Sequence, residues 1–235
     1  MPSNEIILQQ KLLAWQQSCP SARALRKLLA EEMIPAYFFG GVCRSLWDNQ
    51  NPRDIDMVVD DVLWDKFKHA ITKRIDLEKN PSQMRYNRFG GLKFSLLSEN
   101  DPEATLTIDA WPISQTWAFA NQISGPSSPT LLPETTLINV ESIVALIWHP
   151  DDQDPNMEPW IFEKGFFDAM QSRTLEIQNE HTPDPALCIA RIKKFEKQGW
   201  KIGESVQAFL DHHRATPAGS DEAVKLATQK HYGNG

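Results

Sequence analysis

The chain has 235 residues, 41% of them hydrophobic and 23% charged, a composition that excludes a disordered, collagen-like or disulfide-dense chain. Its 24 Lys and Arg against 31 Asp and Glu give a formal net charge of −7, which excludes a protein that coats long nucleic acid through general positive charge. The charge is uneven: residues 65–93 carry eight Lys or Arg and three acids, whereas residues 94–163 carry eleven acids and no Lys or Arg.

The spacing predicts helices over 5–17 and 21–33, with Pro20-Ser21 as the stop and start between them. Ala36–Phe39 reads as a short aromatic strand ending at Gly40-Gly41, followed by a helix over 42–48 and a turn over 49–53. Ile55–Val59 is the next strand, and 62–77 a helix with Trp64, Phe67 and Ile71 on one side. Two further strands are predicted at 91–97 and 105–111. The Ser- and Pro-rich stretch 121–133 reads as a loop, and from 140 onward the pattern is helical: 140–148, 165–174, 184–198, 204–213 and 221–231. The expected fold class is α+β, a small mixed sheet with helices packed on one face and a helical C-terminal region. The expected organisation is N-terminal helices over 1–34, a catalytic core over 35–150 and a helical region over 151–235.

Cys19, Cys43 and Cys188 form no CxxC pair, so neither a disulfide framework nor a zinc knuckle is expected, and a reducing cytoplasm fits. The first residues, MPSNEIILQQK, have no signal-peptide pattern, and no apolar run approaches the ~20 residues of a membrane span, so no membrane partner is expected. Loop and helix motifs of P-loop NTPases, dinucleotide oxidoreductases, serine hydrolases and zinc proteases are absent from the sequence.

Three segments together carry chemistry. Phe39-Gly40-Gly41-Val42-Cys43-Arg44 runs from a strand through two glycines into a helix. Asp54-Ile55-Asp56 follows after twelve intervening residues, and Asp109 stands 53 residues beyond Asp56 in a β-prone run. Asp54 and Asp56, at i and i+2 of a strand, share a face, and Asp109 on a neighbouring strand would bring a third carboxylate beside them. Such a set repels itself unless a divalent cation sits among the oxygens, and hard oxygen ligands suit Mg²⁺ or Mn²⁺. Paired glycines let a backbone approach phosphate closely, and Arg44 adds a cation able to clamp it. Asp54, Asp56 and Asp109 are thus the candidate catalytic and metal residues, and Gly40, Gly41 and Arg44 the candidate nucleotide-binding residues. Tyr86–Lys93 contains a second glycine pair, Gly90-Gly91, readable as a substrate-facing hairpin with Arg88 or Lys93 touching phosphate, or as a solvated turn. Arg191, Lys193, Lys194, Lys197 and Lys201 are readable as a phosphate or RNA contact or as a solvated helix face. Trp111 and Trp117 are readable as walls of the site or as core.

The set resembles the nucleotidyltransferase fold of the DNA polymerase β superfamily. Within it, the likeness is to the head domain of bacterial poly(A) polymerases and CCA-adding enzymes, without their body and tail domains. Gly40, Gly41, Arg44, Asp54 and Asp56 meet that head pattern, and Asp184-Pro185 to Gly199-Trp200 is similar to the neck helix. Ser45 stands where the family has Asp, Pro133–Asn139 keeps Asn139 of an arginine-bearing segment but neither arginine, and Arg191 alone stands near the neck arginines. The resemblance implies metal-dependent transfer of an NMP from an NTP, ATP among them, to an acceptor, with release of pyrophosphate. An RNA end, a small cationic molecule and a protein side chain are the three acceptor classes. The lost arginines motivate a second reading, a non-catalytic nucleotide-binding or interaction module on the same fold.

Overall fold

The computed structural model describes residues 2–75, 84–87, 90–96, 106–149, 160–182, 184–214 and 216–232. Arg88, the end of the helix expected over 62–77 and the strand ends expected at 97 and 105 lie outside the described residues, as do seven of the eleven acids in 94–163. The chain divides into two compact units. One comprises Met1–Pro133 with Ile143–Glu163, the other Glu134–Ser142 with Lys164–Gly235.

The first unit opens with α1 (Asn4–Ser18) and α2 (Pro20–Glu31). The Ser3 side chain accepts from the Ile6 N–H to start α1, and Pro20 starts α2 where its missing N–H costs nothing. Then come β1 (Ala36–Phe39), α3 (Gly41–Trp47), β2 (Asp54–Val59), α4 (Trp64–Arg74), β3 (Met84–Tyr86), β4 (Leu92–Ser95), β5 (Thr107–Pro112), α5 (Trp117–Ala120), β6 (Ile143–Trp148) and β7 (Ile161–Glu163). All seven strands join one mixed sheet in the order β3-β4-β5-β2-β1-β6-β7. Within this sheet, among the described residues, only β2 and β5 pair in parallel, and the crossover that a parallel pair demands contains α4 and the β3–β4 hairpin.

Alternation separates the two faces of the sheet. Phe38, Ile55, Met57, Phe94, Ile108 and Ala110 are fully buried on the back. There Trp15 of α1 meets Phe38 edge-on with ring centroids 5.7 Å apart, and Phe67 of α4 meets Phe94 at 6.0 Å. Burial of this back layer stabilises the unit, at about 25 cal/mol per Å² of apolar surface. Gln16, almost fully buried on α1, donates to the Ile147 carbonyl at 3.0 Å and ties that helix to β6. The front face carries Asp54, Asp56 and Asp109. Its other end is closed by residues 113–133, whose Ile113, Phe119 and Leu132 cluster with Tyr37, Val58 and Val144.

Residues 140–148 form no helix: a 3₁₀ turn over Asn139–Glu141 leads into the strand β6. A continuous apolar run does not distinguish a buried helix from a buried strand. Here Val144 and Ala145 each pair β6 with β1 on one side and β7 on the other. The edge strands β3 and β7, three residues each, were not expected from the sequence, because short half-exposed edges lack a continuous apolar pattern.

The second unit holds α6 (Phe166–Ser172), β8 (Thr174–Leu175), α7 (Pro185–Lys197), β9 (Lys201–Ile202), α8 (Glu204–Arg214) and α9 (Asp221–Tyr232). Asp184 caps α7 by accepting from the Leu187 N–H at 3.0 Å, Pro185 opens the helix, and Gly199 follows it at φ +88°. Asn139 is buried and fully used. Its Nδ2 donates to the Thr174 carbonyl at 3.2 Å, while its Oδ1 accepts from the N–H groups of Val140 and Glu176 at 2.9 and 3.0 Å. Asn139→Ala leaves these backbone groups without their partner. It should lower the unfolding free energy from urea denaturation by about 2–3 kcal/mol.

Candidate active site

The sheet register assembles the carboxylates. In the parallel pair, Asp54 stands opposite Thr107 and Asp56 opposite Asp109. Neighbours in register share a face, so Asp54, Asp56 and Asp109 all project from the front. Asp54 is exposed at the strand start, while Asp56 and Asp109 are half-buried. Ile55, Met57, Ile108 and Ala110, the residues between them, are locked in the back core.

The row extends beyond the carboxylates. Lys93 of β4 is the cross-strand partner of Asp109, and Arg85 of β3 is the partner of Lys93. One line of side chains therefore runs Arg85, Lys93, Asp109, Asp56, two cations followed by two anions. Arg85 carries no sequence signal beyond its charge, because β3 itself was not expected.

Burial pushes the Asp109 carboxyl above the ordinary carboxylate range. A hydrogen bond from Asn87 and the charges of Lys93 and Arg85 pull against that rise, and the charge of Asp54 adds to it. The carboxylates thus feel one another across the two strands. Asn87 donates from Nδ2 to Asp109 Oδ1 at 3.0 Å. The sequence places Asn87 in the glycine-bearing hairpin but gives it no role; an Asn beside a Gly-Gly turn was the available signal.

The two glycines after β1 differ in what they require. Gly40 adopts φ +47° and ψ −80° as the cap of α3, a backbone region that disfavours any side chain. Its N–H donates to the Ile143 carbonyl at 2.9 Å. At Gly41, a Cβ would meet no atom within 4 Å, so packing within the chain does not call for glycine. Arg44 is half-buried on α3, its N–H donating to the Gly40 carbonyl at 3.1 Å.

The other candidates separate. Trp111 packs on the front-face apolar cluster, meets Phe39 edge-on at 5.8 Å and donates to Thr116 Oγ1 at 3.0 Å. In the second unit, Arg191 pairs with the buried Glu141 at 3.1 Å and Lys193 with Asp221 at 3.7 Å. Asn139 serves the backbone around it, as described above. Cys43 is buried, and burial pushes its thiol up to about 12, which leaves no thiolate at neutral pH.

Three carboxylates with hard oxygen donors on one face have the donor chemistry that Mg²⁺ or Mn²⁺ takes. Among the described residues, no group of three or more His, Cys, Asp or Glu side chains is already gathered tightly enough to hold a metal ion. Adjacent strands lie about 4.8 Å apart, a spacing that side-chain rotation at Asp54, Asp56 and Asp109 is able to bridge. Among the described residues, no helix is long and apolar enough to cross a membrane.

No protein-family model matches the sequence, and no curated protein does. Solved structures do resemble the fold. The Thermotoga maritima CCA-adding enzyme complexed with tRNA is similar at 16% identity and TM-score 0.58, over 89% of this chain and 45% of that one. A CCA-adding enzyme with CTP is similar at 16% identity and TM-score 0.62, over 94% of this chain and 48% of that one. A complex with ATP is similar at 18% identity and TM-score 0.58, over 89% and 45%. The chain therefore has a fold similar to that of part of the CCA-adding enzymes and spans about half their length.

Proposed function

We propose that the chain is a metal-dependent nucleotidyltransferase that moves an NMP from an NTP to an acceptor. The observation that supports this most is the β2–β5 register, which sets Asp56 opposite Asp109 with Asp54 two residues back on the same face. Asp54 and Asp56 would hold Mg²⁺ or Mn²⁺, with Asp109 as a further ligand. When bound, the ion supplies neutralising charge and Lewis acidity at the triphosphate.

The chain's own groups do the rest. Asp109 accepts the proton of the acceptor hydroxyl as that oxygen bonds to the α-phosphorus. The bond from the α-phosphorus to the bridging oxygen breaks, and pyrophosphate leaves with the electron pair. Gly41, where no neighbour demands glycine, lets the triphosphate lie against the backbone, and Arg44 contacts its outer phosphates. CTP and ATP, the nucleotides held by the structurally similar enzymes, are the first to test. Among acceptors, the adjoining Arg85 and Lys93 favour an anionic one such as an RNA end over a small cation. The pairing of Arg191 with Glu141 favours the second reading, a non-catalytic nucleotide-binding or interaction module.

Incubation with an α-labelled NTP, Mg²⁺ and total RNA should label an acceptor and release pyrophosphate, whereas nucleotide binding with no release would support the second reading. Asp54→Asn or Asp56→Asn should cut that release by about 10³-fold, the several kcal/mol a metal contributes; full retention would refute the assignment. Gly41→Ala should leave the unfolding midpoint unlowered and raise KM for the NTP by about tenfold, the equivalent of 1.4 kcal/mol. Asp109→Asn gives a pH-dependent stability test. An acid whose folded pKa is raised binds more protons folded than unfolded, so its contribution falls as pH rises from the ordinary value through the raised one. Without divalent ions, Asp109→Asn should therefore raise the thermal midpoint at neutral pH. The difference from wild type should close below the ordinary carboxylate pKa, measured by calorimetry across pH.

A further inference from the structure

We propose that Asn87 is a positioning residue that orients the Asp109 carboxylate for its cation, an assignment that rests on the reading of Asp109 as a ligand. Lys93 and Arg85 act on Asp109 across the strands through their charge. Asn87 touches it directly, Nδ2 to Oδ1 at 3.0 Å.

The hairpin leaves the amide one orientation. Asn87 Oδ1 accepts from the Gly91 N–H at 2.9 Å, and that N–H is only a donor, so the amide oxygen faces Gly91. Nδ2 is thereby turned to Asp109, whose ionised carboxylate is only an acceptor. Both ends of the amide agree on the same flip. The backbone reinforces it: the Asn87 N–H donates to the Gly91 carbonyl at 2.8 Å, and the Gly90 N–H to the Asn87 carbonyl at 3.1 Å.

Gly91 makes the approach sterically allowed. A Cβ there would fall 2.6 Å from Asn87 Nδ2 and 2.9 Å from the Ala110 carbonyl oxygen, so any larger residue pushes the hairpin off β5 and the amide off Asp109. The second glycine pair of the sequence thus acts on the carboxylate site through Asn87. Held at one oxygen, the carboxylate loses rotamer freedom that it would otherwise surrender on binding the ion. Outer-shell partners of this kind are typically worth about 10–100-fold in metal affinity.

The test uses the full chain and Mn²⁺ alone, titrated by electron paramagnetic resonance. Asn87→Ala should weaken Mn²⁺ binding by about tenfold. Asn87→Ser is the second variant, for the case that the alanine loosens the turn: serine suits a turn position but is too short to reach Asp109. In an Asp109→Asn background, Asn87→Ala should cost nothing further. The same loss in both backgrounds would show that Asn87 does not act through Asp109 and would overturn the proposal. Unchanged affinity in Asn87→Ala and Asn87→Ser, beside a loss in Asp109→Asn, would overturn the proposal and leave the reading of Asp109 standing. Wild-type affinity in Asp109→Asn would overturn both.

Discussion

The arrangement depends on one constraint, the register of the parallel strands β2 and β5. It sets Asp56 opposite Asp109 and Ile55 opposite Ile108, so acids face forward and aliphatic side chains face the helices. A slip of one residue would turn Asp109 toward Phe94 and the back core and expose Ile108. Such a slip is costly because the back face is fully buried around Phe38, Met57 and Phe94. Burial on one side of the sheet therefore fixes charge on the other. The chemistry is held by packing rather than by contacts among the acids, which repel.

That repulsion has a visible counterweight. Asp56 beside Asp109 and Arg85 beside Lys93 are each unfavourable cross-strand pairs, whereas Lys93 beside Asp109 is a favourable one. The order of strands places the cations at the sheet edge and the anions at its centre. The β3–β4 hairpin is thus more than a connection within the crossover: it carries the opposite charge, and Asn87, to the flank of Asp109. A cation among the oxygens and an anionic substrate over Lys93 and Arg85 would neutralise both halves of the row.

The legible parts of the sequence were those with local physical signatures. The Pro20-Ser21 break between the first two helices, the Asp184-Pro185 start of α7, the aromatic strand before Gly40-Gly41, and the alternation of Asp54 and Asp56 with Ile55 and Met57 all follow from short-range rules. The resemblance drawn from Gly40, Gly41, Arg44, Asp54 and Asp56 anticipated the fold. What was not legible depended on partners distant in sequence. The run Ile143–Trp148 reads as helix until β1 and β7 are known to flank it. Asn139 reads as a remnant of an arginine-bearing segment until Thr174 and Glu176 are seen to use its amide. Arg191 reads as a phosphate or RNA contact or as part of a solvated helix face until the buried Glu141 is found against it. Asn87 reads as turn chemistry until the hairpin is laid beside β5.

The central claim is that the three carboxylates hold a divalent cation against a nucleoside triphosphate. The most direct measurement is anomalous diffraction from crystals grown with Mn²⁺ and a non-hydrolysable NTP. The account predicts an anomalous peak ligated by Asp54 and Asp56, with the triphosphate running along Gly41 toward Arg44. Nucleotide bound away from these residues, or Mn²⁺ density with no contact to Asp54 or Asp56, would contradict it.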